Sequence, residues 1–127
     1  MDISTLVDTE KLHELDLLHP GTDEPLGIKL WLRSIDSGAA ERILLANTDK
    51  QIERFAKRKL PSAEQGRKAE LERLAACVAR WEWGEHTFEG SVPDLTMANA
   101  VRVFEKMPWA ERQAREAAEN VRNFTTS

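Results

Sequence analysis

Two runs of alternating apolar and polar residues flank a turn-rich stretch near the start of the chain, and they constrain the fold more than any other feature. In the first, Leu15 and Leu17 alternate with Glu14 and Asp16. In the second, Ile28, Leu30 and Leu32 alternate with Lys29, Trp31 and Arg33. A period of two with one apolar side is the pattern of a half-buried strand. Between them lies His19-Pro20-Gly21-Thr22-Asp23-Glu24-Pro25, so the pair reads as a β-hairpin with a loop longer than two residues. An isolated hairpin is marginal in water, and its apolar face must lie on something. Only helices follow in the reading of the remaining sequence. The 127 residues make one domain. The expectation is a single α+β domain, with the hairpin region 1–36 packed on a bundle of about four α-helices over 37–124, and a frayed tail at 125–127.

The helices are read from their punctuation. Asp36 or Ser37 can cap a helix that runs to about Leu60, where Pro61 stops it. Ile43, Leu44, Ile52, Phe55 and Ala56 form its apolar stripe, and Asn47-Thr48-Asp49 marks a kink or break. Ser62 and Gln65 have the spacing of a capping box for a second helix. Leu71, Leu74, Ala75, Val78 and Trp81 then recur at helical spacing, which predicts a helix ending near Gly84. Residues 84–95 read as a loop with a short extended piece around Phe88. Thr96 caps a third helix, and Pro108 suits the first turn of a fourth whose edge is Trp109, Gln113, Ala117, Val121 and Phe124.

Charge and composition narrow the function classes. The formal net charge of −4 provides no global field toward nucleic acid. It is unevenly spread, with balances of −5 over 1–36, +3 over 37–73 and −2 over 74–127. Lys57-Arg58-Lys59 is the one tight basic cluster, and it reads as the solvated end of a helix. No uncharged run approaches the ~20 apolar residues of a membrane-spanning helix. The start, Met1-Asp2-Ile3-Ser4, is unlike a signal peptide, and the single cysteine, Cys77, forms neither an internal disulfide nor a Cys-based zinc site. The expectation is a cytosolic chain.

Catalytic patterns are sparse. His13, His19 and His86 have no second ligand at helical spacing and read as surface residues. Cys77 reads as a small buried hydrophobe. The six glycines form no phosphate-binding loop, so no cofactor is expected. Glu82, Glu85 and Glu89 read as solvated acids rather than an acid–base pair. The expectation is a protein that is not an enzyme. Its four tryptophans are more informative. Trp31 alternates against Leu30 and Leu32, so it belongs on the outward hairpin face. Trp83 lies about 200° from Trp81 around a helix, so the two cannot share a core, unless the loop 84–95 folds back over Trp83. Outward aromatics are candidate interface anchors. Trp31, Trp83, Phe88 and Trp109 are therefore the candidate protein-binding surface, although Trp109 also fits the core register of its helix.

The order and spacing of these features resemble the tail assembly chaperones of long-tailed bacteriophages. The similarity is carried by Pro20, Thr22, Leu26 and Gly27 in the turn, Asp36 and Ser37 at the helix start, and Ala75, Val78 and Trp81. It continues through Asn99, Ala100, Val103, Pro108, Trp109, Gln113, Asn123 and Phe124, and spans residues 19–124. Asp23 stands where a turn glycine is common in that family, and the loop 84–93 is less typical. The resemblance implies a non-enzymatic protein of the host cell cytoplasm, absent from the mature virion. Its implied partners are the tape measure protein, which it keeps soluble, and the tail tube protein, which it helps recruit. Self-association would multiply weak contacts along a long client. The alternative readings are a phage structural adaptor, such as a head–tail connector or tail terminator, and a nucleic-acid-binding regulator using Arg54, Lys57, Arg58, Lys59, Arg67 and Lys68.

Overall fold

The hairpin forms where the alternation places it. The computed structural model describes residues 2–57 and 62–126. Strand β1 (His13–Leu18) pairs antiparallel with β2 (Pro25–Leu32), with Leu15 opposite Leu30 and Glu14 opposite Trp31. The connecting turn is held by His19, whose Nδ1 accepts from the Gly21 N–H at 3.0 Å. Asp23 occupies the left-handed region at φ +59°, the backbone state for which glycine is the usual residue.

Helix α1 (Gly38–Ala56) begins at Ser37, whose hydroxyl accepts from the Ala40 N–H. The Glu10 carboxylate accepts from the Gly38 N–H at 2.8 Å, adding negative charge at the positive helix end. The expected break at Asn47-Thr48-Asp49 does not occur. Thr48 Oγ1 donates back to the Leu44 carbonyl at 2.8 Å, so its polar group is satisfied within the helix. The expected continuation to Leu60, the Pro61 stop and residues Arg58 and Lys59 of the basic cluster lie outside the described residues.

Helix α2 (Ala63–Cys77) opens with both halves of the Ser62–Gln65 capping box in place. It ends seven residues short of Gly84. From Val78 the chain becomes a third strand, β3 (Val78–Glu82), which pairs antiparallel with β2 through Leu30 opposite Trp81 and Trp31 opposite Arg80. The sheet order is β1-β2-β3. The helical reading of Val78 and Trp81 is thereby corrected. Apolar residues three apart fit a helix, but the ladder that β2 offers satisfies the same backbone groups and places Trp81 on the buried face. Helix α3 (Met97–Lys106) is capped by Thr96, and α4 (Pro108–Glu119) starts with Pro108 in its first turn. A 3-10 turn, Val121–Phe124, follows. The tail is tied down rather than frayed through residue 126. Val7 bridges to Thr125, and Thr126 N–H donates to the Leu6 carbonyl at 3.0 Å.

The sheet has one apolar face. Leu17, Ile28, Leu30 and Leu32 are buried there together with Leu71, Leu74, Val103, Phe104 and Phe124 of the helical side. Helix α4 approaches β1 and β2 closely because its buried apolar positions are all alanine, Ala110, Ala114, Ala117 and Ala118. Gln113 reinforces that contact. Its amide accepts from the Leu18 N–H and donates to the Leu18 carbonyl, both at 2.9 Å, where the β1 ladder is irregular.

One carboxylate joins α2 to α4. Glu111 is buried, receives Arg67 at 2.7 and 3.0 Å, and receives Arg115 at 3.0 Å. The hydrogen bonds from Arg67, then those from Arg115, hold its carboxyl below the usual carboxylate range despite burial. Its folded value therefore lies under the unfolded value of about 4.3, so its contribution is complete above that pH and is lost as pH falls through the folded value. Arg67 is half exposed and can rehydrate, so Glu111→Gln is expected to cost about 1–3 kcal/mol at pH 7. Urea unfolding at pH 7 and pH 3 checks this. The stability gap between wild type and variant should narrow at pH 3, and an unchanged gap would mean that the carboxylate is not the group responsible.

Candidate protein-docking surface

The four aromatic candidates do not form an outward surface. Trp83 is buried, at 4% exposure. It stacks edge-on against Trp81 with ring centroids 5.6 Å apart and lies 6.1 Å from Phe88. The separation expected on a helix fails because Trp81 lies in a strand, and Trp83, two residues on, emerges on the same side. The chain folds back over it. Gly84 turns at φ +60°, and a Cβ there would sit 2.8 Å from the Gly27 carbonyl oxygen. His86 Nε2 lies 2.7 Å from the Leu26 carbonyl oxygen, and Phe88 pairs with Ser91 across a tight turn. Phe88 and Trp109 are partly buried against the core. As anchors for a partner, Trp83, Phe88 and Trp109 are corrected to core and core-edge residues.

Trp31 does stand on the outer sheet face, as its alternation predicts, but it is not bare. The Arg80 guanidinium lies 4.5 Å from its ring centroid. Around it, Lys29 is bonded to Glu14 at 3.0 Å, and Arg80 pairs with Glu82. This face is a lattice of paired charges with one covered ring. Glu89 is bound to Arg102, so two of the three acids near Trp81 are engaged with arginines.

The apolar surface lies on helices instead. Leu44, Leu45, Ile52 and Phe55 are 40%, 56%, 63% and 73% exposed. At 100° per residue they fall within an arc of about 100° on α1. It shares Leu44, Ile52 and Phe55 with the stripe read from the sequence, and it points away from the core. The seam between α1 and α2 is lined on the α1 side by Asn47 and Gln51, with Leu44 and Thr48 at its edge, against Gly66 and Ala69 of α2. The signal that could have distinguished the two faces was in α2, whose facing positions are small or polar and offer α1 no apolar bed.

A second apolar feature is a groove of about 620 Å³ between α2 and α3. Met97, Ala98 and Val101 form its apolar part, and Lys68, Glu72, Arg102, Glu105 and Lys106 are its charged walls. The sequence reading missed it, because it arises from the crossing of two helices whose individual patterns read as core. The two features lie on different flanks of α2. Leu44 borders Glu70 and Arg73, whereas the groove is bounded by Lys68 and Glu72.

The remaining candidates have structural partners. Cys77 is fully buried, and burial pushes its thiol up to about 12, so it is not a nucleophile at neutral pH. Among the basic residues considered for nucleic acid, Arg67 is committed to Glu111, and Lys57 pairs with Glu53 at 3.1 Å. Among the described residues, no cluster of three or more His, Cys, Asp or Glu could hold a metal, and no helix is long and apolar enough to cross a membrane.

Compared with known proteins, the chain matches no family model, no curated protein and no solved structure.

The reassignment of the tryptophans has a measurable consequence. Trp83→Ala should lower stability by about 3–5 kcal/mol through the cavity it leaves. Trp31→Ala should cost about 1 kcal/mol or less, through loss of the Arg80 contact. Chemical denaturation of the two variants separates these values, and equal small losses would return Trp83 to the surface.

Proposed function

We propose that the chain is a tail assembly chaperone of a long-tailed bacteriophage. In this reading it binds the tape measure protein and keeps it soluble, helps recruit tail tube subunits, and performs no catalysis. It acts in the host cell cytoplasm and is left out of the finished virion. The observation that carries the reading is the presence of two separate unpartnered apolar faces, the α1 stripe and the α2–α3 groove, on one small domain. A chaperone for a very long helical client needs shallow apolar docking surface that can be repeated along it. A groove with apolar residues and walls of both charge signs suits an amphipathic helix.

The resemblance adds the particular client. Several residues that carry it have defined work in this fold. Ser37 caps α1, Pro108 opens α4, Gln113 holds β1 to α4, and Phe124 is buried beside the apolar sheet face. These support the family's fold as a frame for the two faces. The nucleic-acid reading is weakened by the commitment of Arg67 and Lys57 to carboxylates.

The test is a tagged pull-down from cells producing the whole phage or prophage. Recovery of a very long helical protein with a small β-rich tube subunit is expected, together with absence of the chain from purified particles. Met97→Glu combined with Ala98→Glu, both at exposed positions, should cut recovery of the long protein about tenfold, equivalent to ~1.4 kcal/mol. Recovery of head–tail joining proteins, with the chain present in particles, would instead make it a structural adaptor. Salt-sensitive recovery of nucleic acid alone would overturn both.

A further inference from the structure

The inner side of α1 is as unusual as its outer side. Toward α2 it carries Asn47, Lys50, Gln51 and Arg54. These recur at the i, i+3, i+4, i+7 spacing that puts four residues on one side of a helix. A helix that packs on its neighbour normally places apolar residues there. Here two amides and two cations take those positions. Helix α2 faces them with residues at the same spacing, of which Gln65, Lys68 and Glu72 are the polar members. The two stripes border a recess of about 150 Å³, room for roughly five waters at ~30 Å³ each.

The charge in this recess is unbalanced. Lys50, Arg54 and Lys68 stand against the one carboxylate of Glu72, three positive charges less one negative, so the lining carries a net +2. Among the described residues none of these four groups is ion-paired. Elsewhere on the molecule Lys29, Arg67, Arg80, Arg102 and Arg115 each hold a carboxylate. Lys50 and Arg54 lie four apart on one helix, where like charges repel. Hydrogen-bond donors are in surplus as well. Gln65 uses its Oε1 to accept from the Ser62 N–H, which leaves its amide N–H groups to donate.

We propose that this recess binds a phosphate group of a small phosphorylated ligand, held between α1 and α2. A phosphate group carries close to two negative charges at neutral pH and presents oxygens that accept hydrogen bonds. It therefore matches both the net charge of the lining and its excess of donors. Arg54 is the half-buried cation and supplies the planar fork that suits two phosphate oxygens. Lys50 and Lys68 add charge from the two helices. The amides of Asn47, Gln51 and Gln65 complete the donor set. The recess is short, and the flanking Lys57 and Arg67 are bound to Glu53 and Glu111. That favours a small ligand over a nucleic-acid strand, whose affinity comes from a succession of phosphate contacts. This inference goes beyond the chaperone reading and does not rest on it. Lys50 and Arg54 line the recess but not the α2–α3 groove.

Titration of the full, nitrogen-15-labelled chain with tripolyphosphate at low salt, followed by NMR, tests it. Saturable binding with a dissociation constant below about 1 mM is expected, with the largest shifts at the side-chain amides of Asn47, Gln51 and Gln65. Lys50→Gln combined with Arg54→Gln should weaken binding at least tenfold, while the far-UV circular dichroism is kept because neither residue is buried. Glu72→Gln should tighten binding about threefold, by removing the one opposing carboxylate. ATP is the second probe. ATP competing at equal affinity marks the phosphates alone as the recognised group, and ATP binding more tightly marks a nucleotide. Absence of binding at several millimolar tripolyphosphate overturns the proposal. So does binding that ignores the double variant. A single-stranded oligonucleotide that binds this face where tripolyphosphate does not would assign it to nucleic acid and overturn the small-ligand site. None of these outcomes depends on recovery of a tape measure protein.

Discussion

Burial of one face of a three-stranded sheet is the constraint on which the rest of the molecule depends. Strand β2 is paired on both sides, and its inward residues Ile28, Leu30 and Leu32 are nearly inaccessible. Everything that covers them is held at short range. The alanines of α4 let its backbone approach, Gln113 ties it to β1, and Glu111 binds the arginines that join α2 to α4. Phe124 closes one end, and the backbone bonds of residues 6–8 with 124–126 keep it there. Once α2, α3 and α4 have covered the sheet, Ala40 is the one α1 residue left with a core position. The helix lies on the outer side of α2 through polar and small residues, and its apolar stripe remains outside.

Much of this was legible in the sequence, and the parts that were not share a cause. The hairpin is written in strict alternation, and Ser37, Ser62, Thr96 and Pro108 mark the helix starts because capping and φ preference are local chemistry. Strand β3 was not legible. Its existence depends on pairing with β2, nearly fifty residues away in the chain, while Val78 and Trp81 continue the spacing of Leu71 and Leu74. Trp83 was misread for the same reason, since its facing follows from strand geometry. The C-terminal residues were expected to fray because their partners, Leu6 and Val7, have no signature of their own.

The α1 stripe illustrates a different limit. Amphipathic periodicity states that one side of a helix avoids water. It does not state that the cover belongs to the same chain. Of the aromatics read as outward, Trp31 stays on the outer sheet face, whereas Trp83 is buried and Phe88 and Trp109 pack at the core edge. The aromatic side chains bury more area each and are drawn into the cluster of Trp81, Trp83 and Phe88 beside the core. The aliphatic residues of α1 remain exposed. The sheet-and-helix frame thus presents an exposed aliphatic stripe on one flank of α2 and a groove on the other.

Hydrogen exchange of the full chain tests the central claim, that the covered sheet is the core and α1 lies outside it. The account predicts that amides of β2 and α4 exchange only on global unfolding, while those of residues 41–56 exchange much faster through local opening. Equal protection of α1 and β2 would contradict it.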